Sequence, residues 1–511
     1  MSAGAGQRSG SEDAGRQALA GALRACFAAA APQHDRGRLA TCERLDILFD
    51  EGTIAPIAVG GGVITAAGKV AGRPVLAFAQ DATDHAGIVT TSHAQWIASL
   101  AARARDERLP LVGLYDSAGL ALEDGLAGLA AQGALLRALA SGQRGAPHLA
   151  LVFGPAIGAA AFAPAMADLR FMLSGAGSIY LAGPDVLRAA TGEVASDEML
   201  GGASLHATTT GLADRTFADE IEMLFAARQA IGLLSLDAAP GRDPPDRAAA
   251  HLDTLVPADP GEPYDMRELV KAICDGRDWM ELQPERAGAI LCGLARIDRR
   301  CVGIVANQPI VADGVIDRAA IAKAARLVAL CACHGLPIVT LVDSPGLMPG
   351  VSEEASGIVA AGAALIAAFA RADVPVITIV TRRAFGPALL LMAPRAGGQA
   401  AGAGAATEAG ACFAWPTAEI AAMNAAGAAR LLLRHGDDAA TREKVRDYAA
   451  SIADPVNAVA SGIVDAVIRP ADTRGAIALA LARHDAQGSG RSLPHPDPQG
   501  SGTLKERDRN G

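Results

Sequence analysis

Two copies of one phrase, 227 residues apart, constrain this chain more than any other feature. Leu109-Pro-Leu-Val-Gly-Leu-Tyr-Asp-Ser-Ala-Gly119 returns as Leu336-Pro-Ile-Val-Thr-Leu-Val-Asp-Ser-Pro-Gly346. Each copy reads as a buried strand running into a turn, because a continuous aliphatic run suits a strand covered on both faces and Gly or Pro-Gly cannot extend it. An Ala-rich, helix-like segment precedes each copy (His93 to Arg105; Ala319 to Cys333). A second apolar strand with a small-residue turn follows each, at Leu149 to Phe162 and at Val374 to Ala388. Further along, Gly183-Pro184 is set against Trp415-Pro416, and Thr210-Gly-Leu-Ala-Asp214 against Ser461-Gly-Ile-Val-Asp465. A tandem duplication of a strand, helix and Gly-turn unit is the reading these matches support. The fold class is α/β, with parallel or mixed layers.

At 511 residues the chain exceeds one ordinary core, so two domains are expected. Pro, Gly and Asp crowd Asp237 to Asp246 and Pro257 to Pro263, as in linkers. The chain divides into a disordered tail at 1–35, a first unit at 36–240, a linker at 241–262, a second unit at 263–486 and a disordered tail at 487–511. The net charge of −10 is spread without a basic cluster, which argues against nucleic acid as a partner. The longest apolar run, Ile358 to Ala370, stops at Arg371 and is read as a buried helix, so no membrane span is expected. Met1 to Arg16 lacks the apolar stretch of a signal peptide, and a cytoplasmic location is expected. Eight scattered cysteines read as buried, reduced thiols, and ten histidines show no zinc-type spacing, so no metal is expected.

Two turns are chemically interesting. Gly158-Ala159 and Ala384-Phe-Gly-Pro-Ala388 stand where a strand gives way to a helix of small residues. Free backbone N–H groups and the helix dipole at such a junction can hold an oxyanion, although small residues there also simply permit tight packing. Ser117 and Ser344 lack a Gly-x-Ser-x-Gly setting and are read as turn-holding residues. Asp116 and Asp343 are read as caps for the turns that follow them. His85 is read as a surface residue, with a local acid or base as the alternative.

The residues also resemble a known family, the carboxyltransferase β subunits of biotin-dependent acyl-CoA carboxylases of the acetyl-/propionyl-CoA type. The resemblance rests on Gly72-Arg-Pro-Val75, Gly183-Pro-Asp-Val186, Thr191-Gly-Glu193 and Gly201-Gly-Ala203 in the first half. In the second half it rests on Val302 to Pro309, Lys323-Ala-Ala-Arg326, Pro337 to Gly350 and Ala414-Trp-Pro-Thr-Ala-Glu-Ile420. It runs from about residue 42 to 485 in unbroken order. It implies tandem crotonase/ClpP-like ββα spiral domains, a homo-oligomer (dimer or hexamer), acyl-CoA as substrate, and biotin carried by a separate biotin carboxylase/biotin carrier subunit. The chain itself has no Ala-Met-Lys-Met biotinylation sequence.

Carried over residue by residue, the resemblance places the N-half oxyanion hole on Gly158 and Ala159. The C-half hole falls on Pro387 and Ala388, with Gly386 as a possible substitute donor after a one-residue shift. Substrate or cofactor contacts fall on Gly87, Gly119, Ala160, Gly346 and Leu390. Departures gather here: Pro387 has no N–H, Leu390 stands at the family's acidic position, and Ala86-Gly-Ile-Val-Thr90 replaces a Gly-Gly-Ser-Leu-Gly loop. Two rival functions follow from these departures: a biotin-independent decarboxylase of malonyl-type thioesters, and a non-catalytic assembly subunit of a carboxylase complex.

Overall fold

The computed structural model describes residues 21–488, apart from 29, 141–145, 235–242, 245–246, 258, 260, 395–409, 434–438 and 453. The first half contributes β1 (Ala55–Gly60), β2 (Val63–Val70), β3 (Arg73–Gln80), β4 (Leu111–Ser117), β5 (His148–Ile157), β6 (Leu169–Leu173), β7 (Ser178–Tyr180) and β8 (Arg215–Phe217). The second half contributes β9 (Trp279–Leu282), β10 (Ile290–Ile297), β11 (Arg300–Asn307), β12 (Ile338–Ser344), β13 (Val376–Phe385), β14 (Gly410–Ala414), β15 (Glu419–Ala421) and β16 (Ala466–Val467).

The two sheets have one topology. An antiparallel three-strand meander, β1-β2-β3 or β9-β10-β11, continues into the parallel series β4-β5-β6-β8 or β12-β13-β14-β16. A short strand, β7 or β15, pairs in parallel with the far end of β5 or β13. The duplication read from the sequence is therefore a duplication of fold. Every residue of β4, β12 and β13 is buried, as their unbroken apolar runs require. The crossover helices Thr91–Glu107 and Arg318–His334 place Ala94, Ile97, Leu100, Ala101 and Ala104, or Ile321, Ala324, Leu327, Val328 and Cys331, on one buried face. Their starts are capped by Thr90, which accepts from His93 N, and by Asp317, which accepts from Ala320 N.

One hydrophobic cluster runs through both halves, joining Leu45, Phe153 and Met223 to Ile290, Leu327 and Leu389. Polar contacts cross the same boundary: Gln283 N donates to Asp214 O at 2.7 Å, and Thr216 Oγ1 donates to Glu285 Oε1 at 2.6 Å.

One sequence pairing survives and one does not. Asp214 and Asp465 each precede the last parallel strand and bond alike. Asp214 N donates to Arg170 O while its carboxylate accepts from Arg170 N, and Asp465 does the same with Cys412. Gly183-Pro184, however, opens the helix Pro184–Thr191 after β7, whereas Trp415-Pro416 lies between β14 and β15. These two are not equivalent positions; each Pro simply starts or follows an element where its missing N–H is harmless.

Of the segment read as an N-terminal tail, residues 21–28 and Ala31–His34 are helical, and Ala30 packs against Ala40 and Cys42. Within the stretch read as a linker, Ala249 and Leu252 are buried beside Tyr264 and Met266. Residues 1–20 and 489–511 lie outside the described residues. No helix among the described residues is long and apolar enough to cross a membrane.

Candidate active site

Each sheet ends its central strand on a buried carboxylate that organises the turn beyond it. In the first half the Asp116 carboxylate accepts from Arg38 Nη2 at 3.0 Å and Arg44 Nη1 at 3.2 Å. Glu220 accepts from Arg38 Nε and from Arg44 Nε and Nη2, and Arg38 Nη2 also donates to Phe153 O. In the second half Asp343 accepts from Arg382 Nε at 2.9 Å and Arg383 Nε at 2.8 Å, and Arg383 reaches on to Asp313 at 2.6 Å. Even the backbone is matched, since Asp116 N donates to Gln80 Oε1 and Asp343 N to Asn307 Oδ1. These aspartates bind arginines and do not cap the following turns, as the sequence reading had it. A carboxylate this deep is stable only when paired, and pairing outweighs capping there.

The turns are held by the serines instead. Ser117 Oγ accepts from Gly119 N at 3.1 Å, and Ser344 Oγ accepts from Gly346 N at 3.3 Å. Gly119 (φ 109°) and Gly346 (φ 147°) have positive φ. Against each turn lies a loop of three consecutive left-handed residues, His85-Ala86-Gly87 and Ala312-Asp313-Gly314. A Cβ on Gly87 would stand 2.2 Å from Asp116 O, and one on Gly314 would stand 2.4 Å from Asp343 O. Gly314→Ala is therefore expected to lower the urea midpoint by an amount equivalent to more than about 1 kcal/mol, since both φ and contact oppose a side chain. An unchanged midpoint would show that the loop relaxes freely.

The pairing of β4 with β5 is interrupted by a bulge between Tyr115 and Ser117, and that of β12 with β13 between Val342 and Ser344. Beyond the bulges Ser117 faces Ala156 and Ser344 faces Ala384. Ile157 then pairs with Tyr180, and Phe385 with Ala421. Register thus aligns Gly158 with Gly386, Ala159 with Pro387 and Ala160 with Ala388. The hole residues carried over from the family, Gly158-Ala159 and Pro387-Ala388, stand one residue out of step between the halves.

Gly158 (φ 66°) and Gly386 (φ 53°) both turn the chain left-handed into a helical segment, Gly158–Ala161 or Pro387–Met392. The first amides of such segments have no partner within the helix. Gly386 N donates to Ala421 O at 2.9 Å, so its N–H points into the sheet and does not substitute for the donor Pro387 lacks. The C-half turn begins its donors at Ala388, which is fully buried. The N-half turn keeps an N–H at Ala159.

Around the N-half turn, Ala160 lines a small interior space with Phe78, Tyr115, Ser117 and Gln132. Gln132 is buried on the helix Gly125–Ala140, and its Nε2 lies 3.4 Å from Ala159 O. The sequence reading missed it; its signal was a lone amide among apolar residues. Burial raises the Tyr115 phenol well above its usual range and pushes His148 down to about 4. Their contact, 3.3 Å from Tyr115 Oη to His148 Nε2, is therefore between neutral groups at neutral pH. His85 is 82% exposed, with Nδ1 2.5 Å from Asp84 Oδ1. Leu390 is exposed on the helix after Pro387.

A family model described as the carboxyl transferase domain matches residues 32–491. The chain is a member of the carboxyl transferase family. This carboxyl transferase chain is 36% identical over 475 residues to the propionyl-CoA carboxylase beta chain of Roseobacter denitrificans, covering 88% of this chain and 91% of the other. It is 34% identical over 478 residues to the mitochondrial propionyl-CoA carboxylase beta chain of Homo sapiens, covering 88% and 86%. Among solved structures it matches transcarboxylase 12S, a hexamer with methylmalonyl-coenzyme A and methylmalonic acid bound. That match has a TM-score of 0.83 and 31% identity, covering 95% and 97% of the two chains. The expected fold class, tandem crotonase/ClpP-like domains, and the family resemblance both stand.

Proposed function

We propose that this carboxyltransferase moves a carboxyl group between carboxybiotin, carried on a separate subunit, and a short acyl-CoA. The single observation that carries the reading is the N-half turn, where a left-handed Gly158 presents the amides from Ala159 onward at a helix start. A thioester whose α-carbon loses a proton or a carboxylate places negative charge on its carbonyl oxygen. Preorganised amides sheltered from water stabilise that charge without any charged side chain. The propionyl-CoA carboxylase relatives and the methylmalonyl-CoA in transcarboxylase support a short acyl group.

Biotin, when its carrier docks, supplies the activated carboxyl group. On this chain the Ala388 amide would be the donor left to hold it at this turn, since Pro387 has no N–H and Gly386 N donates to Ala421 O. Exposed apolar residues follow the Gly119 and Gly346 turns in the chain, Leu122 and Leu126 in the first half and Val351 and Val359 in the second. A contact between the N-half of one copy and the C-half of another would cover them, which supports a homo-oligomer. Residues 36–240 and 263–486 are taken as the two carboxyltransferase domains, joined by 241–262, and the cytoplasm as their place of work. Mixing the chain with a carrier subunit whose biotin has first been carboxylated, together with propionyl-CoA, tests the reading: the carrier should return to free biotin as methylmalonyl-CoA forms, and a carrier that stays carboxylated would oppose it.

Pro387 and the engaged Gly386 amide favour one second reading, decarboxylation of malonyl-type thioesters without biotin. That reaction needs only the N-half turn.

A further inference from the structure

We propose that Asp168, Cys333 and His334 form a site for a zinc ion at the seam between the two halves. Asp168 precedes β6 of the first sheet, while Cys333 and His334 end the helix Arg318–His334 of the second half. One ligand atom from each of the three lies within 4.8 Å of those from the other two. His334 is 1% exposed, and neither ring nitrogen has a hydrogen-bond partner. Its Nε2 nevertheless lies 3.2 Å from Asp168 Oδ2. The two groups stand at ion-pair distance.

A metal accounts for that spacing. Zinc bonds to nitrogen and oxygen of about 2.0–2.1 Å, at the tetrahedral angle, put two ligand atoms about 3.3 Å apart. The donors are one thiolate, one imidazole and one carboxylate, a mixed set that suits zinc better than calcium or magnesium. Two anionic ligands balance the ion's charge.

The surroundings keep the carboxylate oriented. His148 N donates to Asp168 Oδ2 at 2.8 Å, the kind of outer bond that fixes a metal ligand. Arg326 could compete for Asp168, but its guanidinium is bound to the Asp214 carboxylate and reaches only the backbone oxygen of Asp168. Cys333 is exposed, which leaves an entry path and room for water as the fourth ligand. The sequence reading expected buried thiols and no metal. It missed the site because Asp168 lies 165 residues from Cys333, far outside any zinc spacing.

The test is titration of the chelator-treated chain with Co2+, followed by displacement with Zn2+. One Co2+ per chain is expected, with a thiolate-to-cobalt charge-transfer band and tetrahedral d–d bands. Cys333→Ser, at an exposed position that leaves folding intact, should abolish the charge-transfer band and weaken binding by about tenfold or more. His334→Gln should remove stoichiometric binding, and the same concentration of Zn2+ should raise the melting temperature of the parent chain by more than that of Cys333→Ser. No band at one equivalent, a band unchanged by Cys333→Ser, or equal Zn2+ stabilisation of both chains would overturn the proposal.

Discussion

Ala159→Pro is expected to lower turnover on a carboxylated acyl-CoA by roughly 10²–10³-fold while leaving the fold intact. The fold should survive because the same chain already places Pro387 at the register-equivalent position, behind a glycine of similar φ. The rate should fall because a single donor removed from an oxyanion hole costs about 3–4 kcal/mol of transition-state stabilisation. Affinity for the ground-state thioester should change much less, since the charge develops only in the transition state. Steady-state kinetics with calorimetric binding of the thioester check this. Full activity in Ala159→Pro would place the enolate elsewhere.

Asp343→Ala is expected to destabilise the chain by about 3–5 kcal/mol. The carboxylate is fully buried, and its partners Arg382 and Arg383 are 5% and 11% exposed. Removing it takes away the buried anion that the two guanidinium groups share, while Arg382 keeps the Glu262 carbonyl and Arg383 keeps Asp313. The loss should appear as a lower denaturant midpoint with an unchanged slope. A loss below about 1 kcal/mol would mean that water replaces the carboxylate and that the cluster is not sealed.

The two aspartates also show how far the sequence could be read. The repeated Asp-Ser-x-Gly phrase located both strand ends and both turns, because apolar runs and Gly turns are local signals. The arginines that bind the aspartates are not local. Asp116 draws on Arg38 and Arg44, more than 70 residues upstream, whereas Asp343 draws on Arg382 and Arg383 from the neighbouring strand. The same need is met from different elements, so no shared pattern marks it. Arg382-Arg383 inside the buried strand β13 was the one available clue.

The turns were harder still. Asp116 and Asp343 stand 227 residues apart, but Gly158 and Gly386 stand 228 apart, so one residue has been gained between them. Only strand register exposes that shift and aligns Pro387 with Ala159. Whether the Gly386 amide could stand in for the missing donor depended on a bond to Ala421, which no spacing encodes.

The most direct measurement incubates the purified chain with methylmalonyl-CoA, with and without free biotin, and follows loss of the carboxylated thioester. Carboxyl transfer run in reverse predicts loss that requires biotin and is suppressed by Ala159→Pro. Loss at the same rate without biotin would contradict the carboxyltransferase account and leave the N-half turn serving a decarboxylase.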